Sequence, residues 1–128
     1  MANTISVPVS AGELLDKISI LKIKMEMIED TQKLKNVKLE HDLLIAVVKE
    51  INFDKWSDFV QELYDVNLVL WKIEDDIRLK EKAKQFDTQF IELARSVYRT
   101  NDKRFDVKNK INKFYGLDVR EEKSYEPY

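Results

Sequence analysis

The amino-acid sequence predicts an all-α fold: a helical bundle built on a long antiparallel helical hairpin, with an extended N-terminal arm and a C-terminal tail. No glycine or proline lies between Glu13 and Tyr115, so the turn residues of many-stranded β proteins are missing. Apolar residues recur every three or four positions along four long segments, which is the period of an amphipathic helix. The length of 128 residues is typical of one domain. We expect a single domain over 1–128, with the arm at 1–9 and the tail at 117–128.

The first helix is predicted to begin at Ser10. Ser10 and Glu13 have the spacing of a capping box, in which the Ser10 hydroxyl accepts from the Glu13 amide and Glu13 reaches back. An apolar stripe follows at helical spacing: Leu14, Ile18, Leu21, Met25 and Ile28. A second stripe of Ile20, Ile23 and Met27 gives this helix more apolar surface than a short bundle covers. The surplus favours association of two copies of the chain.

The second helix is predicted over about 31–51, with Asp30 or Thr31 as its N-cap. The third is predicted over about 55–84, with Asp54 as its N-cap. The apolar row of the third helix follows helical spacing: Phe59, Leu63, Val66, Leu70, Ile73 and Ile77. This row is long enough to form one side of the hairpin seam.

The fourth helix is predicted over about 88–115. Asp87 is its expected N-cap, and Gly116 suits the position after its last turn, where a left-handed conformation is common. A polar run at 100–102 has the character of a cap and leaves open a break near Asn101. Beyond the glycine, the chain is expected to be mostly extended.

The residue types exclude several chemistries. The chain has no cysteine, which rules out disulfides, thiolate catalysis and Cys-based metal sites. Its one histidine, His41, lies between Val37 and Leu44 on an apolar face, which is typical of a core or boundary position. No glycine-rich phosphate loop or Ser/His/Asp set occurs. We predict no metal site and no cofactor. No catalytic residue is identified, and whether the chain is an enzyme stays open.

The charge balance argues against nucleic acid and membrane partners. The 22 basic and 24 acidic residues give a formal net charge of −2, which removes the simplest electrostatic attraction to DNA, RNA or an anionic membrane. No apolar run approaches the roughly 20 residues of a membrane helix. The N-terminus also lacks the pattern of a secretory signal. We therefore expect a soluble, cytoplasmic protein.

A locally basic run, from Lys103 to Lys113, ends the fourth helix. Cations at this position complement the helix dipole, which explains part of the run. A phosphate-binding surface is the alternative explanation. The small overall charge of the chain favours the first.

Polar side chains form a second row on the third helix and a matching row on the fourth. Spacings of three or four residues place each row on one face. The rows contain nine candidate ligand-binding residues: Asn67, Trp71, Glu74, Arg78, Glu92, Arg95, Tyr98, Arg99 and Asp102. An antiparallel fold about 84–86 brings Glu74 opposite Arg95. The same register brings Arg78 opposite Glu92, so we predict two inter-helix ion pairs.

Two interpretations of these rows are open. In the structural one, partly buried salt bridges fix the register of the hairpin at some cost in stability. In the functional one, the rows form a polar pocket for a small anionic or sugar-like ligand, bound by Arg78, Arg95 and Arg99. We favour the structural interpretation, because ion-pair networks perturb their members in the same way as sites do.

Several strings resemble a family of short bacterial and phage helical proteins of unknown function. They lie at Val9 to Leu21, Lys33 to Val37, Val66 to Arg78, Phe90 to Tyr98 and Glu121 to Tyr125. The resemblance spans nearly the whole chain and implies a compact helical protein with an ordered tail. It also implies genes near those for sugar transfer or surface polysaccharides, but no activity or cofactor. A likeness to helical chorismate mutases is weaker, because the spacing of arginines and carboxylates differs.

Two hypotheses of function follow. The first is a non-enzymatic helical accessory or interaction protein that forms a homodimer. The second is a binding domain or enzyme that acts on a small anionic metabolite, such as a nucleotide, nucleotide-sugar or organic phosphate, through the polar rows. They differ in whether Glu74, Arg78, Glu92 and Arg95 surround a cavity or close on one another.

Overall fold

A computed structural model describes residues 3–116 and 121–128. It contains four helices: α1 (Ala11–Met27), α2 (Thr31–Ile51), α3 (Trp56–Lys82) and α4 (Thr88–Tyr115). Helices account for 76% of the described residues, which include no strand, so the predicted all-α fold is confirmed. Residues 1–2 and 117–120, which belong to the predicted arm and tail, lie outside the described part. Residues 3–9 are exposed and non-helical.

The helix ends follow local capping chemistry. The Ser10 hydroxyl accepts from the Glu13 amide at 3.1 Å, so one orphan donor of α1 is satisfied. Asp30 and Asp87 cap α2 and α4 in the same way, each accepting from the amide three residues on. Gly116 ends α4 with a φ of 66°, a conformation that costs glycine little.

One local prediction is wrong, and one open alternative is excluded. The N-cap of α3 is Lys55, with a φ of 61° and no side-chain cap, rather than Asp54. The α4 helix also continues through Asn101 without a break. Thr100 is buried in the interior, and its packing outweighs the weak preference of polar residues for helix ends.

The core forms where α1 crosses the other helices. α1 packs against each of α2, α3 and α4. The core side chains come from all four helices: Ala11, Leu14, Leu15, Ile18, Val48, Val60, Leu63 and Ile111. The shape of the core follows from the two apolar stripes of α1, since Ile18 and Ile23 are both buried.

The α3 and α4 helices pack against each other. Near their connection, the Lys80 ammonium donates to Gln89 at 2.7 Å. At the other end, the Lys110 ammonium lies 2.5 Å from the Glu62 carboxylate. The first contact joins the end of α3 to the start of α4, and the second joins the start of α3 to the end of α4.

We call residues 68–99, where α3 leads into α4, the distal tip. None of its residues is buried, whereas the two residues immediately outside it, Asn67 and Thr100, are both buried. Large apolar side chains on the tip are 40–64% exposed: Val69, Leu79, Phe86, Ile91 and Tyr98. Two helices alone cannot enclose a core, so the tip leaves its apolar side chains partly in water.

Candidate functional site

The most completely bonded polar group of the interior is the carboxylate of Asp16, which is only 1% exposed. The Arg104 guanidinium donates to it from two nitrogens: Nε lies 3.1 Å from both oxygens, and Nη2 lies 2.5 Å from Oδ2. The Asn67 amide donates to Oδ1 at 2.8 Å. A buried charge is tolerated only when it is paired and hydrogen-bonded in this way. Asp16 therefore ties α1 to both α3 and α4.

A row of small and polar residues on α1 positions this carboxylate. Gly12, Asp16 and Ser19 are spaced by four and three, so they share one helix face. The Ser19 hydroxyl donates to the Asp16 carbonyl at 2.6 Å and accepts from Asn67 at 2.9 Å. Both Ser19 and Asn67 are buried, so the row forms a continuous polar strip through the core.

Gly12 allows α1 to approach α4 closely. A Cβ added there would lie 2.6 Å from the Lys108 carbonyl oxygen, which is too close for any other residue. The Gly12 amide donates instead to the Asn112 side-chain oxygen at 2.7 Å. Asn112 is fully buried, and its Nδ2 has no partner among the described residues. The close approach brings Asp16 within reach of Arg104.

Lys108 forms a second ion cluster one turn along α4. Its ammonium lies 2.8 Å from Glu13 and 2.6 Å from Glu121. The Glu13 carboxylate therefore pairs with Lys108 and does not reach back to the N-cap residue as the predicted capping box requires. Burial opposes the charge of Lys108, but the hydrogen bonds to Glu121 and Glu13 outweigh it and raise its pKa.

The pKa of the Arg104 guanidinium is also raised. Its hydrogen bonds to Asp16 raise its pKa, and burial only partly opposes them. Both cations of this part of α4 are therefore firmly charged. The two cations face three carboxylates, those of Glu13, Asp16 and Glu121, so the cluster offers no surplus positive charge to an anion.

Residues 121–128, the C-terminal segment, lie against α4. The Lys123 ammonium donates to Asp102 at 2.8 Å, and the Tyr128 hydroxyl donates to the same carboxylate at 2.6 Å. These two hydrogen bonds hold the pKa of Asp102 below its ordinary value. Lys123 also lies over the ring of Phe105, 5.3 Å from its centroid, within cation–π range.

A cavity of about 1020 Å³ lies between the C-terminal segment, α4 and the start of α1. Glu13, Arg104 and Lys108 line the cavity, and so do Tyr125 and Tyr128. We call the cleft on α4 and the start of α1 that holds both this cavity and the C-terminal segment the α4 groove. It is large enough for a peptide or a drug-sized ligand.

The structure distributes the nine predicted site residues over several surfaces. Asn67 belongs to the buried polar strip. Trp71, Glu74 and Arg78 line a second cavity, of about 340 Å³, between α1 and α3, together with Arg104. Tyr98 and Asp102 line the α4 groove. The other three, Glu92, Arg95 and Arg99, are exposed on the distal tip.

The two predicted inter-helix ion pairs are wrong. Arg78 lies 3.7 Å from Glu74, and Arg95 lies 2.9 Å from Glu92, so both pairs form within one helix. These side chains are 42–79% exposed. A partner one turn away on the same helix is then closer than one across the apolar seam.

Sequence reasoning missed Asp16 as a functional candidate, and it treated Arg104 and Lys108 as part of a basic helix end. Asp16 lies beside Leu15 and Ile18, and this acidic residue within an apolar helix face was an available signal. Its partner was not available from the sequence, because only the packing of α1 on α4 defines it.

Two further properties concern metals and membranes. The described residues contain no group of three or more His, Asp or Glu side chains placed to hold a metal ion. No helix in the described part of the chain has both the length and the apolar character that crossing a bilayer requires.

Comparison with known proteins places the chain in a family. Residues 5–127 match a family of unknown function, DUF6165, and the chain belongs to it. No curated protein and no solved structure matches the chain.

Proposed function

We propose that this chain is a non-catalytic interaction protein and that two copies associate through the distal tip. Its scaffold is one helical domain in which α3 and α4 form a long antiparallel hairpin. The α1 helix closes the proximal half of the hairpin, and the N-terminal arm and C-terminal tail flank it. Bacterial or phage origin and a cytoplasmic location stay predictions from the sequence.

The observation that carries the proposal is the absence of any buried residue over the 32 positions of the distal tip. Leu79 and Ile91 are 64% and 55% exposed. An exposed apolar patch of this kind marks an interaction surface on a soluble protein. Packing two such helical pairs together yields a four-helix arrangement that buries both seams.

The charges on the distal tip support association between identical surfaces. Glu74 and Arg78 neutralise each other on α3, and Glu92 and Arg95 do so on α4. Because both signs alternate along each helix, a two-fold arrangement need not bring a large field of one sign against itself. A surface of one sign would instead repel its copy.

Sedimentation equilibrium of the full chain tests the proposal. The wild type is expected to dimerise, and the Leu79→Lys, Ile91→Lys variant to remain monomeric with an unchanged far-UV circular dichroism spectrum. Leu39→Lys is the matched control, because Leu39 on α2 is 63% exposed but lies outside the tip. A monomeric wild type at all concentrations, or a dimer disrupted only by Leu39→Lys, contradicts the proposal.

The second candidate function is binding of a small anionic metabolite. The cavity between α1 and α3 favours it, because Trp71 and the exposed Arg78 line that cavity. A specific ligand raises the midpoint of thermal unfolding by mass action. Screening nucleotides, nucleotide-sugars and organic phosphates tests this function. A stabilising compound whose effect is lost in Arg78→Ala supports it, and no stabilisation by any compound rejects it.

A further inference from the structure

The C-terminal segment lies in the α4 groove as a non-helical peptide, and its contacts have a definite chemical order. We propose that the α4 groove is a peptide-recognition site whose external ligand is a partner's peptide with an acidic residue followed two positions later by a basic residue. The chain's own Glu121 and Lys123 fill this site in the free protein. This surface meets the distal tip only at Val97 and Tyr98.

The order of charges in the groove defines the ligand. Lys108 receives the carboxylate of Glu121, and Asp102 receives the ammonium of Lys123. The two groove residues are six positions apart on α4, an axial distance of about 9 Å. Two residues of extended chain span about 7 Å, and the long side chains cover the difference. A peptide with its charges reversed would place like charges together at both positions.

Aromatic side chains flank the two ion pairs. The ammonium of Lys123 lies over the Phe105 ring, 5.3 Å from its centroid. The ring of Tyr128 meets the ring of Tyr98 edge-on, with the centroids 5.0 Å apart. The groove therefore has a place for the ammonium group of a basic side chain and another for an aromatic residue further along the ligand.

The resident segment is poorly enclosed. Tyr125 and Tyr128 are 81% and 75% exposed, and the cavity of about 1020 Å³ remains beside the segment. The ion pair between Lys123 and Asp102 is partly open to solvent, and such pairs contribute little to stability. A ligand that keeps the same two ion pairs and fills the cavity can displace the segment.

Lys108 explains why the site needs an occupant. Its side chain is only 6% exposed, and its charge is shared between Glu13 and the carboxylate from the C-terminal segment. A buried ammonium is costly when a partner is removed. The segment therefore protects this cation until a competing carboxylate arrives, and its tethering lowers the apparent affinity of any external peptide.

The test uses the full chain with the resident contacts removed by Glu121→Ala and Lys123→Ala. The probe is a fluorescent synthetic peptide with the sequence of residues 121–128, Glu-Glu-Lys-Ser-Tyr-Glu-Pro-Tyr. A control peptide has the same composition, with the first Glu and the Lys exchanged. Far-UV circular dichroism establishes that the variant is folded, and fluorescence anisotropy measures binding.

The folded variant is expected to bind the probe at least about tenfold more tightly than the control peptide. Wild type is expected to bind the probe about tenfold more weakly than the variant, because its own segment competes. Adding Asp102→Asn to the variant is expected to weaken binding of the probe. Equal binding of the two peptides, or no binding by the folded variant, overturns the proposal. A wild-type dimer that Glu121→Ala, Lys123→Ala dissociates also overturns it, because the ligand is then a second copy of the segment.

Discussion

The α3–α4 pair has a distal half, which is the distal tip, and a proximal half, which comprises residues 56–67 and 100–115. The two halves carry similar charged residues, but these residues have different partners. In the proximal half, Arg104 is drawn inward onto the buried carboxylate of Asp16. In the distal half, Arg95 and Arg78 remain exposed and pair with a carboxylate on their own helix. The difference is the α1 helix, which supplies the buried Asp16 carboxylate as a partner for Arg104. The surroundings of a charge, more than its spacing, decide whether it stabilises the fold.

The largest expected difference between the halves concerns arginine. Arg104→Met leaves the buried Asp16 carboxylate without its ion-pair partner, and we expect a loss of about 3–5 kcal/mol in the free energy of unfolding. Arg95→Met removes a cation from the solvent-exposed surface of the distal tip, and we expect a much smaller loss, because exposed ion pairs contribute little to stability. Urea denaturation of both variants measures the two losses. Equal losses of unfolding free energy in the two variants would contradict the difference between the halves.

The contact between α1 and α4 gives the next prediction. Gly12→Ala places a methyl group against the Lys108 carbonyl oxygen, so α1 must shift, and we expect a cost of about 1–3 kcal/mol. The matched control is Ala94→Gly on the distal tip, where Ala94 is not buried and we expect at most about 1 kcal/mol from helix propensity. If Gly12→Ala is as stable as the wild type in urea, the close approach is not required.

The proximal half also shows how much of the structure could be predicted from the sequence. The four helices were predictable, because capping residues such as Ser10 and Asp87 and the apolar period are local signals. Asn67 was a candidate for the same reason, since it continues a helix face. The bond between Asp16 and Arg104 was not predictable, because the two residues are 88 positions apart. Only the crossing of α1 over the hairpin brings them together.

The wrong ion pairs on the distal tip have a related cause. The register of an antiparallel hairpin places Glu74 and Arg95 at similar heights, and the spacing alone suggested contact. Register does not say which flank a side chain occupies, and each charge found a nearer partner on its own helix. The sequence thus located charged rows without locating their partners.

A smaller effect is expected at the start of α1, where the proximal half begins. Ser10→Ala removes the acceptor of the Glu13 amide, and we expect a loss of about 0.5–2 kcal/mol. Thermal unfolding followed by circular dichroism measures the change. Ser96→Ala on the distal tip is the control, because that hydroxyl only donates to a carbonyl on its own helix. An unchanged midpoint in Ser10→Ala would show that this cap does not stabilise α1.

The smallest effect concerns pH and the C-terminal segment. The pKa of Asp102 is lowered from 3.8 by hydrogen bonds from Lys123 and Tyr128. A carboxyl whose folded pKa is depressed stabilises its contact above the unfolded value and loses that stabilisation as the pH falls through the folded value. We therefore expect the contacts of Tyr128 to persist from neutral pH to pH 3.8 and to weaken below it. The chemical shifts of the Tyr128 ring report this, and weakening already near neutral pH would contradict the assignment.

Amide hydrogen exchange as a function of protein concentration compares the two halves most directly. Opening is easiest where few apolar contacts are buried, so dilute protein should exchange quickly over residues 68–99 and slowly in α1 and around Asn67. As the concentration rises, protection should increase over the distal tip and stay constant in the proximal half, because association covers only the tip. Protection of the tip that equals the proximal half in dilute protein, or that does not change with concentration, would contradict the assignment of the distal tip as a partner surface.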